Sequence, residues 1–599
     1  MKKISSSQLQ KALNEVNAFF SRGELEAAEK ILNELVVFFP SHPDILSKLG
    51  SIYLYKGILD KGILCTKKSL EINPFQPKVL NDYAVALLNS NKLEDALNAV
   101  NKAISLNPNY TEAYYHQGII YKQLNEFDSA IVSYKRVIEL DHLHVLARVN
   151  AAIIFIYLEK FIEALNLLSE ALSIDGNNAG IYYNLGLTYI GLCDFEKANT
   201  FLDSAISINS DFAEFYNAKG LTLKNLFQYE RALEYFDKAI TLNPNLFEAL
   251  NNKGLLFEEL LMFEEALEAY DKAADNNIGY ELPLYNKALL CLYLTHFEKG
   301  WDLYEKRDQI KHYLSSKNTS SKPYLEDISI GGKNLLIISE QGLGDQILFS
   351  SILRDLININ YKLTVRCDSR LIDLFKRSFP EVEFTSTNDD SNCTPYDYEI
   401  LMGSLPKFFR KKVSDFNLSF YPFIIPDEVK TKNFKHKLKN SKKIICGISW
   451  LSKNDKVGNS KSLRLNQLLP ILKIQNLLFV DLQYGDNQIE KTDLLKENHI
   501  ELIKFDDVDS FNDIDSLTSI IDACDIIVTS SNVTAHIAGS IGKKTYLLAP
   551  RSRGRIWYWH NNLKQSIWYP SVEIFAQNEI NNWHSPVNEV KEKIIKGIL

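Results

Sequence analysis

The rhythm of apolar and polar positions changes once, about half-way along the chain. From about Gln8 to about Asp308, apolar residues recur at the three-to-four spacing of helices that share a core, and the pattern returns every 34 residues. Stepping by 34 from Gly186 meets Gly50, Ala84, Gly118, Ala152, Gly220, Gly254 and Ala288. Twelve residues on, the register reads Gly62, Ala96, Ala130, Ala164, Ala198, Ala232, Ala266 and Gly300, with Ala28 one step upstream. A third series holds Ala103, Ala171, Ala205, Ala239 and Ala273, interrupted by Val137. Small residues at a fixed period mark places where two antiparallel helices approach closely. Large ones around them, such as Tyr183, Leu185, Tyr189 and Leu202, fill the rest. Pro40, Pro74, Pro108 and Pro244 each close a unit beyond its second helix, where a missing N–H does no harm. The pattern predicts some nine stacked units, the first and the last (Pro283–Asp308) degenerate as capping units are.

Residues 311–326 are polar and serine-rich and break the register, which reads as a domain boundary. Beyond them short apolar runs alternate with helical patterns, as in parallel sheets covered by helices. The expected strands are Asn334–Ser339, Leu363–Cys367, Tyr398–Leu401, Lys443–Trp450, Leu477–Asp481, Asp525–Thr529 and Lys544–Leu548, with helices over Ser369–Ser378 and Ile514–Cys524. Two α/β halves emerge, 327–425 and 441–599, joined by a lysine-rich connector, 426–440. The terminal helix Val587–Leu599 is placed to cross back onto the first half. The fold class is thus an all-α repeat superhelix over 1–310 followed by two Rossmann-like domains facing each other across a cleft.

Composition narrows the function. The chain has 599 residues, enough for several domains of about 100–200 residues each. A net charge of -8 without a basic stripe argues against nucleic acid as a partner. Seven scattered cysteines, none in a CxxC pair, fit a reducing compartment and suggest neither a disulfide framework nor a metal site. The two lysines of MKKISSSQLQ precede no apolar core, so no signal peptide is expected. No run approaches the ~18–20 apolar residues of a membrane span. A cytoplasmic location is expected.

Candidate chemistry gathers in the second half. Between the strand at Asn334–Ser339 and a helix from Ile347 lie Glu340, Gly342, Gly344 and Asp345. Ligands of α/β folds bind beyond the carboxyl ends of such strands. Asp345 is either an N-cap or a general base aimed into the cleft. A helix N-terminus would lower its pKa and make it a weak base. In Thr529–Gly542, a hydroxyl-rich strand end enters a helix whose free N–H groups suit a diphosphate. Ser530, Ser531 and Thr534 can add hydroxyl donors there, while His536 faces either phosphate or sugar, or is a packed structural histidine. After Trp450, Lys453, Lys461 and Arg464 can neutralise a diphosphate, though Lys453 reads better as a solvated loop residue. Arg551–Pro570, with Trp557, Tyr558, Trp559, Trp568 and Tyr569, suits a nucleoside pocket or interdomain packing. In the repeats, Asn81, Tyr115, Asn184, Asn217 and Asn251 are groove positions that could equally be ordinary solvated sites.

The 34-residue period with its small-residue positions resembles the tetratricopeptide repeat. That resemblance implies a concave groove for a protein or peptide partner, or a scaffold that holds the second half in a complex. In the second half, EQGLGDQILF after the first strand, MGSLP (with Gly403 and Ser404), GISW, LQYGD and NVTAHIAGSIG occur in the order found in glycosyltransferase family 9. The chain from about Gly331 to Gln577 is similar to that heptosyltransferase-like family of GT-B architecture, in the version fused to tetratricopeptide repeats in bacteria. The resemblance implies inverting, metal-independent transfer from a nucleotide-diphospho-sugar, with no cofactor, the donor on the second half and the acceptor on the first. It places the general base on Asp345 and the donor diphosphate on the helix opened by Asn532–His536, with Lys461 or a neighbour as counter-charge. Many relatives carry an aspartate–threonine pair where this chain has Ser531-Asn532, which leaves the donor open. Two alternatives stand beside it. One is a repeat scaffold with a degenerate nucleotide-sugar-binding half. The other is activity like that of the protein O-GlcNAc transferases, whose proline–tyrosine–asparagine–glycine donor motif is not found here.

Overall fold

A computed structural model describes residues 5–277, 279, 281–309, 323–387, 395–416, 420–438, 443–452, 458–485 and 498–598. The chain divides into two compact units, Met1–Pro244 and Asn245–Leu599.

The first unit is a stack of helix pairs. It begins with Ser6–Ser21 and Leu25–Phe38 and continues to Ala213–Asn225 and Tyr229–Leu242. The small-residue register has a steric cause inside each pair. A Cβ on Gly118 would lie 2.6 Å from Tyr134 Cε1, and one on Gly220 would lie 2.7 Å from Phe236 Cδ1. Tyr134 and Phe236 are wholly buried as a result, each contributing about 1.5–3 kcal/mol of apolar burial. Between the two helices of each pair one residue takes a left-handed conformation: Gly23, Gly57, Asn91, Asn125, Glu159, Cys193 and Phe227. The prolines fall where the pattern placed them, beyond the second helices. On the face formed by the first helices, side chains 35 apart bridge neighbouring repeats: His116 with Asn81 at 2.8 Å, and Asn150 with Tyr115 at 3.1 Å. Asn81 and Tyr115 thus help to hold the stack, and Asn81 also lines a cavity on that face.

The second unit opens with two more pairs in the same register, Phe247–Glu259 with Phe263–Asn276 and Leu282–Tyr293 with Phe297–Tyr304. There Asn286 donates to Asn251 at 2.9 Å. Of the expected linker, residues 311–322 lie outside the described residues, while Tyr324 and Leu325 dock on the edge of the first sheet through Glu399. That sheet has four strands: β1 (Asn334–Ile338), β2 (Lys362–Cys367), β3 (Glu383–Ser386) and β4 (Tyr398–Leu401). They lie in the order β3-β2-β1-β4. The second sheet has β5 (Ile444–Ser449), β6 (Leu477–Asp481), β7 (Leu502–Ile503), β8 (Ile526–Ser530), β9 (Thr545–Ala549) and β10 (Val572–Ala576). Its order is β10-β9-β8-β5-β6-β7. Every pairing is parallel. Both orders double back on the first strand of the sheet, the doubly wound arrangement in which the switch point opens a crevice at the strands' carboxyl ends. In the second sheet that point lies between β5 and β8.

Three expectations change. The connector forms a helix, Glu428–Leu438, packed on the helix Ile514–Ala523, with Phe434 against Phe505 at a ring distance of 4.8 Å. The strands β3, β7 and β10 have no counterpart among the expected strands. The terminal helix His584–Ile598 packs on the second sheet, where Val587, Val590 and Ile594 join Tyr546 and Leu548 in one cluster. Its apolar stripe matches the outer face of its own half, and that match decides where it docks. The last two helix pairs share a core with the sheets, since Tyr270, Leu290, Trp301 and Tyr304 belong to the same cluster as Leu335 and Ile337.

Candidate functional site

The residues singled out in the sequence divide between a cavity and its frame. The cavity, about 370 Å³, lies beyond the carboxyl ends of β1, β5, β6 and β8. Its lining includes Gly342, Gly344, Asp345, Lys461, Ser531, Asn532 and His536. Two helices of eight residues converge on it, Leu343–Ser350 from the first half and Val533–Ser540 from the second. They approach so closely that a Cβ on Gly344 would lie 2.7 Å from His536 Cδ2.

Gly342 caps the first helix and leaves Asp345 in its first turn, so Asp345 is not the N-cap. Its carboxyl opens on the cavity but is otherwise enclosed by protein. Burial raises its pKa from the usual 3.8 to about 7; nearby Lys461 draws it down and Glu340 pushes it up. The expected lowering by the helix N-terminus is thus overridden by desolvation, because eight residues of helix dipole compensate little for lost water. Burial lowers the pKa of Lys461, opposed by Asp345. Both side chains line the cavity, and the charge of each acts on the other.

Asn532 caps Val533–Ser540 by accepting from Thr534 N–H at 3.0 Å, and its amide donates to Ser449 Oγ at 2.8 Å. Ser531 Oγ accepts from the Trp559 indole at 2.8 Å. His536 lies between two tyrosines, Nδ1 to Tyr569 Oη at 3.1 Å and Nε2 to Tyr558 Oη at 3.2 Å. Burial and the charge of Lys461 push its pKa down to about 3. It is neutral at working pH, and both ring nitrogens are engaged, so its contribution to the wall is its ring.

Ser530 and Thr534 are buried beneath the wall and do not line it. Glu340, Gly403 and Ser404 also lie outside the lining: Glu340 accepts from Arg307 at 2.9 Å, and Ser404 accepts from Arg307 at 2.8 Å. Lys453 lies outside the described residues, and Arg464 is exposed and away from the cavity. The sequence reading missed Arg370, Ser510 and Phe511 among the lining, where Tyr484 of the LQYGD motif also lies. Arg370 is paired with Asp368 at 2.7 Å and reaches the Phe511 carbonyl at 3.2 Å. Its place just beyond β2 was the available signal. The aromatic segment serves packing and lining together. Arg555 pairs with Glu258 at 2.7 Å and lies over the Tyr293 ring at 4.1 Å, while Tyr558 lines the cavity. Gly554, with φ of 79° and Ser460 2.9 Å from where a Cβ would be, lets this segment lie against the backbone of Lys461.

In the first unit a second cavity, about 620 Å³, opens on the face of the first helices, with Asn17, Lys48, Tyr55, Lys78, Asp82 and His116 among its lining. Family models described as tetratricopeptide repeat match residues 77–110, 111–142, 155–221 and 213–246. The array is built of tetratricopeptide repeats. Protein FlbA of Caulobacter vibrioides is 26% identical over 279 residues, 43% of this chain and 46% of that protein. The chain therefore spans about half the length of the relative it matches. Among solved structures, a tetratricopeptide repeat protein from Parabacteroides merdae is 20% identical over 43% of this chain and 98% of its own, with a TM-score of 0.34. YrrB, described as a TPR protein with an unusual peptide-binding site, is 23% identical over 31% of this chain and 97% of its own, with a TM-score of 0.28. Among the described residues no helix is long and apolar enough to cross a membrane.

Proposed function

We propose that the chain is a glycosyltransferase of GT-B architecture, similar to family 9, whose tetratricopeptide repeats recruit a protein or peptide that is the acceptor or brings it. The observation that carries this reading is the cavity at the switch point of the second sheet. It joins a carboxylate poised near pH 7, a buried lysine and a helix N-terminus. In the proposed reaction Asp345 takes the proton of an acceptor hydroxyl, whose oxygen attacks the anomeric carbon. The bond from that carbon to the diphosphate breaks, and its electron pair leaves with the nucleotide. Attack opposite the leaving group inverts the centre. Lys461 and the N–H of Val533 face the charge that develops, and stabilising such charge is usually what lowers a barrier most. A pKa near 7 suits a general base at neutral pH better than an ordinary aspartate would.

The repeats support the recruiting role through the first-unit cavity, which is large enough for several side chains of a peptide. Thermal melting against UDP-, GDP- and ADP-sugars, followed by hydrolysis assays, tests the reading. The expected result is a selective rise in Tm with nucleotide release. Asp345→Asn should cut turnover at least about a hundredfold while keeping the donor-induced Tm rise. Equal loss of donor affinity and rate would sink the assignment of Asp345.

A further inference from the structure

We propose that Arg307, in the tail of the last tetratricopeptide repeat, is a positioning residue for the Asp345 turn, so that the repeat array supplies part of the frame of the site. Its catalytic meaning rests on the transferase reading; the frame itself does not. Arg307 is 1% exposed. Its Nε and Nη2 donate to Glu340 Oε1 at 3.2 and 2.9 Å, Nη2 donates to Ser404 Oγ at 2.8 Å, and Nη1 donates to the Tyr304 carbonyl at 3.1 Å. The same Glu340 oxygen accepts the Gly403 N–H at 3.2 Å. One residue on, Gln341 donates to Tyr304 Oη, and its carbonyl accepts from Gln346 at 2.8 Å.

Both residues that open the turn are thus gripped by side chains of the last repeat, and the helix carrying Asp345 is tied to the second of them. Gly403 is part of the same grip, since a Cβ there would lie 2.6 Å from Glu340 Oε1 and 3.1 Å from Arg307 Nη2. This accounts for Glu340, Gly403 and Ser404 without placing them against a ligand. Trp301 adds a further tie from the same helix pair, donating to the Arg410 carbonyl at 2.7 Å. A fork-shaped guanidinium is needed, because a lysine cannot hold two acceptors in fixed directions.

The test separates positioning from simple stabilisation, using the full chain. Arg307→Met with Glu340→Gln removes both buried charges; Glu305, which also accepts from Arg307 Nη1 at 3.0 Å, is 28% exposed and keeps its water. Hydrogen exchange by mass spectrometry then reads the peptide covering residues 341–346. It should exchange about tenfold faster or more, while peptides of β8 and Val533–Ser540 keep their rates and Tm stays within a few degrees. Arg307→Lys should fall between. Tyr304→Phe, which removes the Gln341 contact without touching a charge, should loosen the same peptide and serves if the double variant does not fold. With UDP-glucose, GDP-mannose and ADP-glucose as probes, kcat should fall about tenfold at unchanged KM. Wild-type exchange at 341–346 in the folded variants would overturn the proposal. If the wild-type chain turns over none of the probes, it is the transferase reading that has failed, and the exchange result still decides Arg307.

Discussion

Asp345 shows how burial can reverse an expectation drawn from local structure. The helix N-terminus alone implies a lowered pKa, yet removal from water brings it to about 7. Between pH 4 and 7 the folded chain then holds a proton that the unfolded chain has lost. Stability therefore falls as pH rises through that window. Asp345→Asn removes this penalty, so its stability relative to wild type should be level near pH 4. Above pH 7 the variant should be more stable by on the order of 2 to 4 kcal/mol, measured as Tm against pH. A lowered pKa would give the opposite sign. The same ionisation should govern rate: kcat/KM should rise with pH through about 7 and lose that limb in Asp345→Asn. His536, held near 3, should contribute no limb. Asp345, Asn532 and His536 were legible because each follows a strand end closely, whereas Lys461, well beyond the end of β5, was legible only by its charge. Ser530 and Thr534 were not separable from Ser531, since exposure at a strand exit changes from one residue to the next.

At the scale of elements, one feature of the repeats escaped the sequence reading. The left-handed residue between helices keeps the 34-residue step, but its identity drifts from Gly23 and Gly57 through Asn91 and Asn125 to Phe227, Leu261 and Thr295. Glycine and asparagine accept that conformation, whereas a branched or aromatic side chain is strained by about 1–2 kcal/mol. Phe227→Gly should therefore stabilise the first unit by roughly 0.5–1 kcal/mol after the glycine's extra unfolded entropy is subtracted. The check is a denaturant midpoint. Gly220→Leu should do the reverse, by forcing Phe236 aside. The central strands were legible for a related reason. β6, β8 and β9 are buried at every position and mostly apolar, while β3 and β7 lie at sheet edges and carry polar or partly exposed residues. Of the edge strands only β4, which ends in the buried Ile400 and Leu401, was expected.

At the scale of the molecule, the compact units part at Pro244–Asn245, while the composition changes near residue 311. The reason is the shared core of Tyr270, Trp301 and Tyr304 with the first sheet. A fragment of residues 245–599 should fold with a cooperative melt, whereas one of residues 327–599 should be poorly soluble or lack a transition, as read by circular dichroism. Sequence periodicity cannot reveal this, because it reports how helices repeat and not which faces later chain segments will cover.

Arg555, seated between Glu258 and the Tyr293 ring, carries a consequence for heredity. The segment it fastens contains Tyr558 and Trp559, which form and brace the cavity wall. A random screen for loss of activity should therefore recover alleles at Glu258 and Tyr293, and suppressors of those alleles should arise near Arg555. Such a pedigree would join the part of the gene that encodes the last helix pairs to the part that encodes the cavity wall, through residues that lie outside the cavity itself.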